Sequence, residues 1–145
     1  MRYECLGSYM QEAEESWVPH LLGFILPIVT IAGIYQGGYW TFSGFVYALG
    51  ICPFIDYFAP ERAPVRSEVS IRAWNSLLYS HALFFYACIG VLLWRAKLDG
   101  FTVPVVLGGL SVGIVGGISG IINAHESGHR KKGSMIWIVA RLNMF

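Results

Sequence analysis

Two histidines four positions apart, with a glutamate directly after the first, stand in the stretch Ile122-Asn123-Ala124-His125-Glu126-Ser127-Gly128-His129-Arg130. On a helix, residues i and i+4 lie one above the other, so both imidazoles face the same point and can hold one metal or bridge two. His125 and His129 are therefore candidate metal ligands, and Glu126 is the candidate catalytic carboxylate. A metal centre that does chemistry needs at least a third protein ligand and an open position. The sixteen residues after His129 contain no further histidine. The motif is accordingly read as one part of a larger metal site.

The elements that must position this motif are built for lipid. The chain is 55% hydrophobic, 15% aromatic and only 13% charged. Long stretches carry no Lys, Arg, Asp or Glu, where a helix of a soluble domain would interleave them along a polar face. This predicts an all-α fold: an integral membrane helical bundle with about four transmembrane helices and a C-terminal helix on the cytoplasmic side, forming a single membrane domain over 1–145. The expected spans are about 20–35, 40–57, 77–94 and 101–122, and the metal-motif helix covers about 122–145. The first span, at roughly 16 residues against a usual minimum of about 17, can recruit Trp17 and Val18. Trp17, Tyr39, Trp40, Trp74, Trp94 and Phe101 fall at or near span ends, where amphipathic rings prefer the headgroup level.

Cations give the orientation. Arg2 precedes the first span, Arg62, Arg66 and Arg72 lie between the second and third, and Arg130, Lys131, Lys132 and Arg141 follow the fourth. The opposite side has Arg95 and Lys97. By the positive-inside rule both termini are cytoplasmic, and the motif sits at the cytoplasmic membrane face. Glu12, Glu14 and Glu15 stand where a signal peptide would need its basic region. With a net charge of +1 and basic residues distributed by loop, no nucleic-acid patch is formed.

The remaining features are assigned as follows. Gly109, Gly113, Gly116, Gly117 and Gly120 make small-x-x-x-small spacings along the fourth span. They permit close helix approach, and the missing side chains also leave room for a long apolar substrate leading to the metal. Cys5, Cys52 and Cys88 have no C-x-x-C spacing, so neither a disulfide framework nor a thiolate site is indicated. His20 and His81 are lone histidines near span starts, read as interfacial or hydrogen-bonded. Asp56, near the end of the second span, needs an interface or a partner such as Arg62, and could orient a ligating imidazole. The mixed-charge loop from Ala59 to Glu68 reads as a solvated cytoplasmic connection, and Gln36-Gly37-Gly38-Tyr39 as a tight turn on the far side.

On these residues the chain resembles the membrane-bound non-haem di-iron alkane monooxygenases, within the wider fatty-acid desaturase and hydroxylase group. The likeness covers the whole chain as an N-terminal part: two apolar hairpins, an Asp-containing, Pro-rich loop, then a Gly-rich span running into the motif. The family's first histidine box, His-Glu-x-x-His followed by Lys or Arg, matches His125, Glu126, His129 and Arg130. Where the family usually has Asn and then a small residue upstream, this chain has Ile122 and Asn123. The resemblance implies alkane 1-monooxygenase activity: terminal or near-terminal hydroxylation of an apolar alkyl substrate with dioxygen. It implies two non-haem irons in the complete protein, electrons from a rubredoxin-type donor with its reductase, and residence in a bacterial inner membrane in contact with membrane lipid. The family's later histidine boxes are missing, and the apolar helix starting near Met135 is cut without a cap, so a fragment that is inactive alone is expected. Two other readings fit the same five residues: a membrane zinc metalloprotease with Glu126 as general base, and a non-catalytic membrane protein in which the motif is accidental.

Overall fold

Tight turns and prolines divide the apolar sequence into rods. The computed structural model describes residues 21–58, 71–121 and 135–143, and nearly all of these are helical, with no strand among them. Helix α1 covers Leu22–Gln36, opening as a 3-10 turn over Leu22–Phe24 and continuing as an α-helix over Ile25–Gln36. Pro27 falls in the first turn of that α-helix, where its missing N–H removes no internal bond. Gly37 and Gly38 then take φ of 79° and 57°, left-handed values that side chains resist, and reverse the chain.

Helix α2, Gly38–Phe58, is irregular along its length. It begins as a 3-10 turn over Gly38–Phe42 and widens to a π-helix over Tyr47–Ile51 before returning to α over Cys52–Phe58. Pro53 accounts for the widening: it offers no N–H, and its ring crowds the carbonyl of Leu49 four residues earlier, within the π stretch. Helix α3 runs 29 residues from Ile71 to Asp99 and ends at Gly100, whose φ is 70°. Helix α4, Val103–Val115, starts from extended Thr102 with Pro104 in its first turn, and a second π stretch, Gly116–Gly120, carries it on. A short helix α5, Met135–Asn143, packs against α3.

Helices α1 and α4 touch each other, α2 packs on both, and α3 packs on both from another side. The pair α1 and α3 run in one direction, as Gly23 lies against His81 and Pro27 against Cys88. The pair α2 and α4 run in the other, as Thr41 meets Pro104 and Phe45 meets Ser111. Leu26, Ile34, Ala48, Cys88, Val112 and Val115 form the apolar core. At its side lies a polar seam of Thr30, Thr41 and Ser111, all fully buried.

Each hydroxyl in that seam has a partner. Thr30 Oγ1 donates to Leu26 O at 2.9 Å, and Ser111 Oγ donates to Thr41 O at 2.8 Å while accepting from Phe45 N–H at 3.2 Å. The Thr41 hydroxyl sits between Gly38 O and Pro104 O and can donate to either. Ser43 Oγ donates to Val29 O at 3.1 Å. Glycines make the approach possible: a Cβ on Gly44 would overlap Thr30 Oγ1, and one on Gly33 would overlap Ser43 Oγ and the Trp40 carbonyl.

Among the described residues, two helical stretches are long and apolar enough to cross a membrane, Gly38–Phe58 and Asn75–Asp99. Few residues of these stretches are fully buried within the chain, and the rest are half-buried or exposed. Two shorter apolar helices, Leu22–Gln36 and Val103–Ile118, accompany them. The outward surface is correspondingly greasy, with Leu49, Phe54, Ile55, Leu83, Leu93, Leu110 and Ile121 all exposed.

Candidate metal centre and its surroundings

The motif residues His125, Glu126 and His129 lie outside the described residues, as do His20, Cys5 and the loop from Ala59 to Glu68. What is described is the approach to them. Helix α4 passes from α to π over Gly116–Gly120, and Ile121 is the last described residue before the motif. A wider helix over Gly-Gly-Ile-Ser-Gly is sterically easy, because three of its five positions carry no side chain. This stretch is held by α3: a Cβ on Gly116 would come within 2.9 Å of the Phe85 ring.

Near this end, α3 carries two polar atoms without partners. Asn75 Oδ1 and His81 Nδ1 are buried and make no hydrogen bond. The His81 ring stacks on Phe24, with centroids 4.1 Å apart and planes inclined by 16°. Its Cε1 and Nε2 edge lies so close to Gly23 that a Cβ there would come within 3.1 Å. An unpaired buried polar atom costs about 1–3 kcal/mol, so a pair of them is an outlay with no return inside the described chain. Of the two roles expected for His81, interfacial or hydrogen-bonded, the second is not met at Nδ1, which makes no hydrogen bond. Asn75 was not singled out at all, although an amide at the start of an otherwise apolar stretch is the kind of signal that could have found it.

The glycine stripe divides in two. Gly116 is filled by Phe85, but a Cβ on Gly109, Gly113, Gly117 or Gly120 would meet nothing within 4 Å, and Gly113 and Gly117 are exposed. The other packed glycine of α4 is Gly108, bounded by Leu92, Thr41 and Ile34. Asp56 is exposed on the last turns of α2. Of the described cysteines, Cys52 and Cys88 are free, and buried Cys88 donates to Pro27 O at 3.7 Å. Among the described residues no three His, Cys, Asp or Glu side chains gather to hold a metal.

The opposite end has a different character. Tyr39, Trp40 and Phe101 are exposed there, Tyr35 stacks on Trp94 with centroids 5.6 Å apart, and Tyr39, Trp40, Phe42, Ser43 and Val46 line an open groove. Arg95 bonds Asp99 at 2.7 Å and reaches Tyr35 O, its guanidinium lying in the space beside Gly37. No known protein family, curated protein or solved structure matches this chain.

Proposed function

We propose that this chain is an N-terminal, membrane-embedded part of an alkane 1-monooxygenase-like hydroxylase that supplies only its first histidine box, with four spans and both ends on the cytoplasmic side of a bacterial inner membrane. The observation that carries the reading is the sequence His125-Glu126-Ser127-Gly128-His129-Arg130 directly after an apolar, glycine-rich helix. Two helices long and apolar enough to span a membrane, with outward apolar surfaces, support the setting. Neutral imidazoles suit iron, and the unpaired polar atoms of Asn75 and His81 are compatible with a polar centre at that end of the bundle. His125 and His129 would hold the metal together with further imidazoles from outside these residues. Two irons there would supply activation of dioxygen, one oxygen atom entering a C–H bond and the other leaving as water, with two electrons and two protons consumed.

The chain's own residues provide the rest. An alkyl substrate offers no polar handle, so an apolar path between helices is its natural site. Glu126, next to a ligand, either binds the metal or fixes the orientation of an imidazole. The cations Arg130, Lys131 and Lys132 would draw an acidic, rubredoxin-type electron carrier to the cytoplasmic face. The test is metal analysis and alkane hydroxylation on the complete gene product and its His125→Ala form. Two irons, and loss of hydroxylation in the variant, are expected. One zinc with peptidase activity would move the assignment to the protease, and full hydroxylation by His125→Ala would end the proposal.

A further inference from the structure

Helix α5, Met135–Asn143, packs against α3, whose stretch Asn75–Asp99 is long and apolar enough to cross a membrane. Trp137 and Val139 of α5 are half-buried, while Met135, Ile138 and Arg141 are exposed. These three stand three residues apart, and each such step falls about 60° short of a full turn. They form one oblique strip about 9 Å long, apolar at Met135 and Ile138 and cationic at Arg141.

The Arg141 guanidinium carbon lies 4.7 Å from the centre of the Trp137 ring, and among the described residues no carboxylate pairs with it. Stacking on a ring face holds the charge in place while the N–H groups at the guanidinium edge can still bond an anion. The strip therefore calls for two surroundings a few ångströms apart: an apolar one at Met135, which is 70% exposed, and an anionic one at Arg141. Water supplies neither. A bilayer surface supplies both, since acyl chains give way to phosphate groups over about 5–10 Å. An arginine exposed within the hydrocarbon would be costly, which sets Arg141 at the level of the phosphates. We propose that α5 lies in the surface of the membrane, with Met135 and Ile138 among acyl chains and Arg141 bound to the phosphate of an anionic phospholipid. The proposal rests on the membrane setting of the reading above and not on its metal site.

The experiment places a bimane fluorophore on Ile138→Cys in the full chain, with Cys5 and Cys52 replaced by serine; Cys88, fully buried, stays out of reach of the reagent. The protein is reconstituted in phosphatidylcholine vesicles containing either a nitroxide-bearing phosphatidylglycerol or a nitroxide-bearing phosphatidylcholine. Both lipids should quench the fluorophore, the phosphatidylglycerol up to about fivefold more effectively, the equivalent of about 1 kcal/mol for one basic residue near an anionic surface. Arg141→Gln should bring the two lipids to equal quenching without ending the contact with acyl chains. Strong quenching by aqueous iodide with little by lipid would put the strip in water and overturn the proposal. Protection from both iodide and lipid would put it against protein and overturn it too. Equal quenching by the two lipids before the substitution, or a phosphatidylglycerol preference that survives Arg141→Gln, would remove the phosphate contact and with it the proposal. The same fluorophore on Leu83→Cys of α3, whose side chain is 71% exposed, tests the setting: without lipid quenching there, the membrane reading itself fails. Should Ile138→Cys fail to fold, Met135→Cys on the same strip makes the same measurement.

Discussion

The seam between α1, α2 and α4 and the Asn75–His81 stretch of α3 are both polar patches in an apolar bundle, yet they are finished differently. In the seam, Thr30, Thr41 and Ser111 are fully buried and every hydroxyl has a carbonyl to donate to. On α3, the buried atoms Asn75 Oδ1, an acceptor, and His81 Nδ1 make no hydrogen bond. In lipid, helices gain little from hiding apolar surface from each other, so close packing and interhelical hydrogen bonds must hold them together. The seam supplies both and accounts for the cohesion of the bundle. The α3 atoms contribute nothing to cohesion, which is the pattern expected of groups kept for another partner.

Breaking the seam should give the largest effect. Gly44→Val puts side-chain atoms where Thr30 Oγ1 and the Ser111 Cβ already stand, and the helices must separate. Thermal unfolding in detergent should show a loss of about 3 kcal/mol or more, at the upper end of overpacking costs. A stability close to the original would mean that the seam does not hold the helices together.

Ser111→Ala is a milder cut through the same place. It leaves Phe45 N–H without its acceptor and removes the bond to Thr41 O. The expected loss is about 1–2 kcal/mol, near the top of the range for hydrogen bonds between membrane helices. A Ser111→Ala protein as stable as the original would reduce the seam to steric packing.

The smallest effect, and the one of opposite sign, belongs to α3. His81→Phe keeps an aromatic ring against Phe24 and deletes the unpaired Nδ1. Stability should stay the same or rise by up to about 1 kcal/mol, because an unsatisfied buried atom is removed with little change of shape. A loss as large as that of Ser111→Ala would place His81 in the structural framework and blur the contrast between the two patches.

Much of the architecture was legible in the sequence because its causes are local. Uncharged stretches announce helices with apolar surfaces, and Gly37-Gly38 announces a reversal whose left-handed φ values only glycine takes easily. The His-Glu-x-x-His spacing fixes a shared helix face by the same arithmetic. Less could be read of the way the helices meet. Spacing put Gly109, Gly113, Gly116, Gly117 and Gly120 on two neighbouring stripes, but which of them faces a neighbour depends on the rotation of α4 about its axis, and packing turned Gly108 and Gly116 inward.

The sequence by itself determined the helical class, the apolar exterior and the presence of two imidazoles at metal-binding spacing, all properties of a single helix or a single run of residues. Tertiary structure alone decided that Thr41 and Ser111, 70 residues apart, would satisfy each other, and that Phe85 would occupy the gap at Gly116. It also decided that half-buried Asn75 and His81 would each have one buried atom, Oδ1 and Nδ1, without a hydrogen bond. The reason is physical: whether a polar atom is satisfied depends on what lies within about 3 Å of it, and in a helical bundle those neighbours come from other helices whose register no local pattern records.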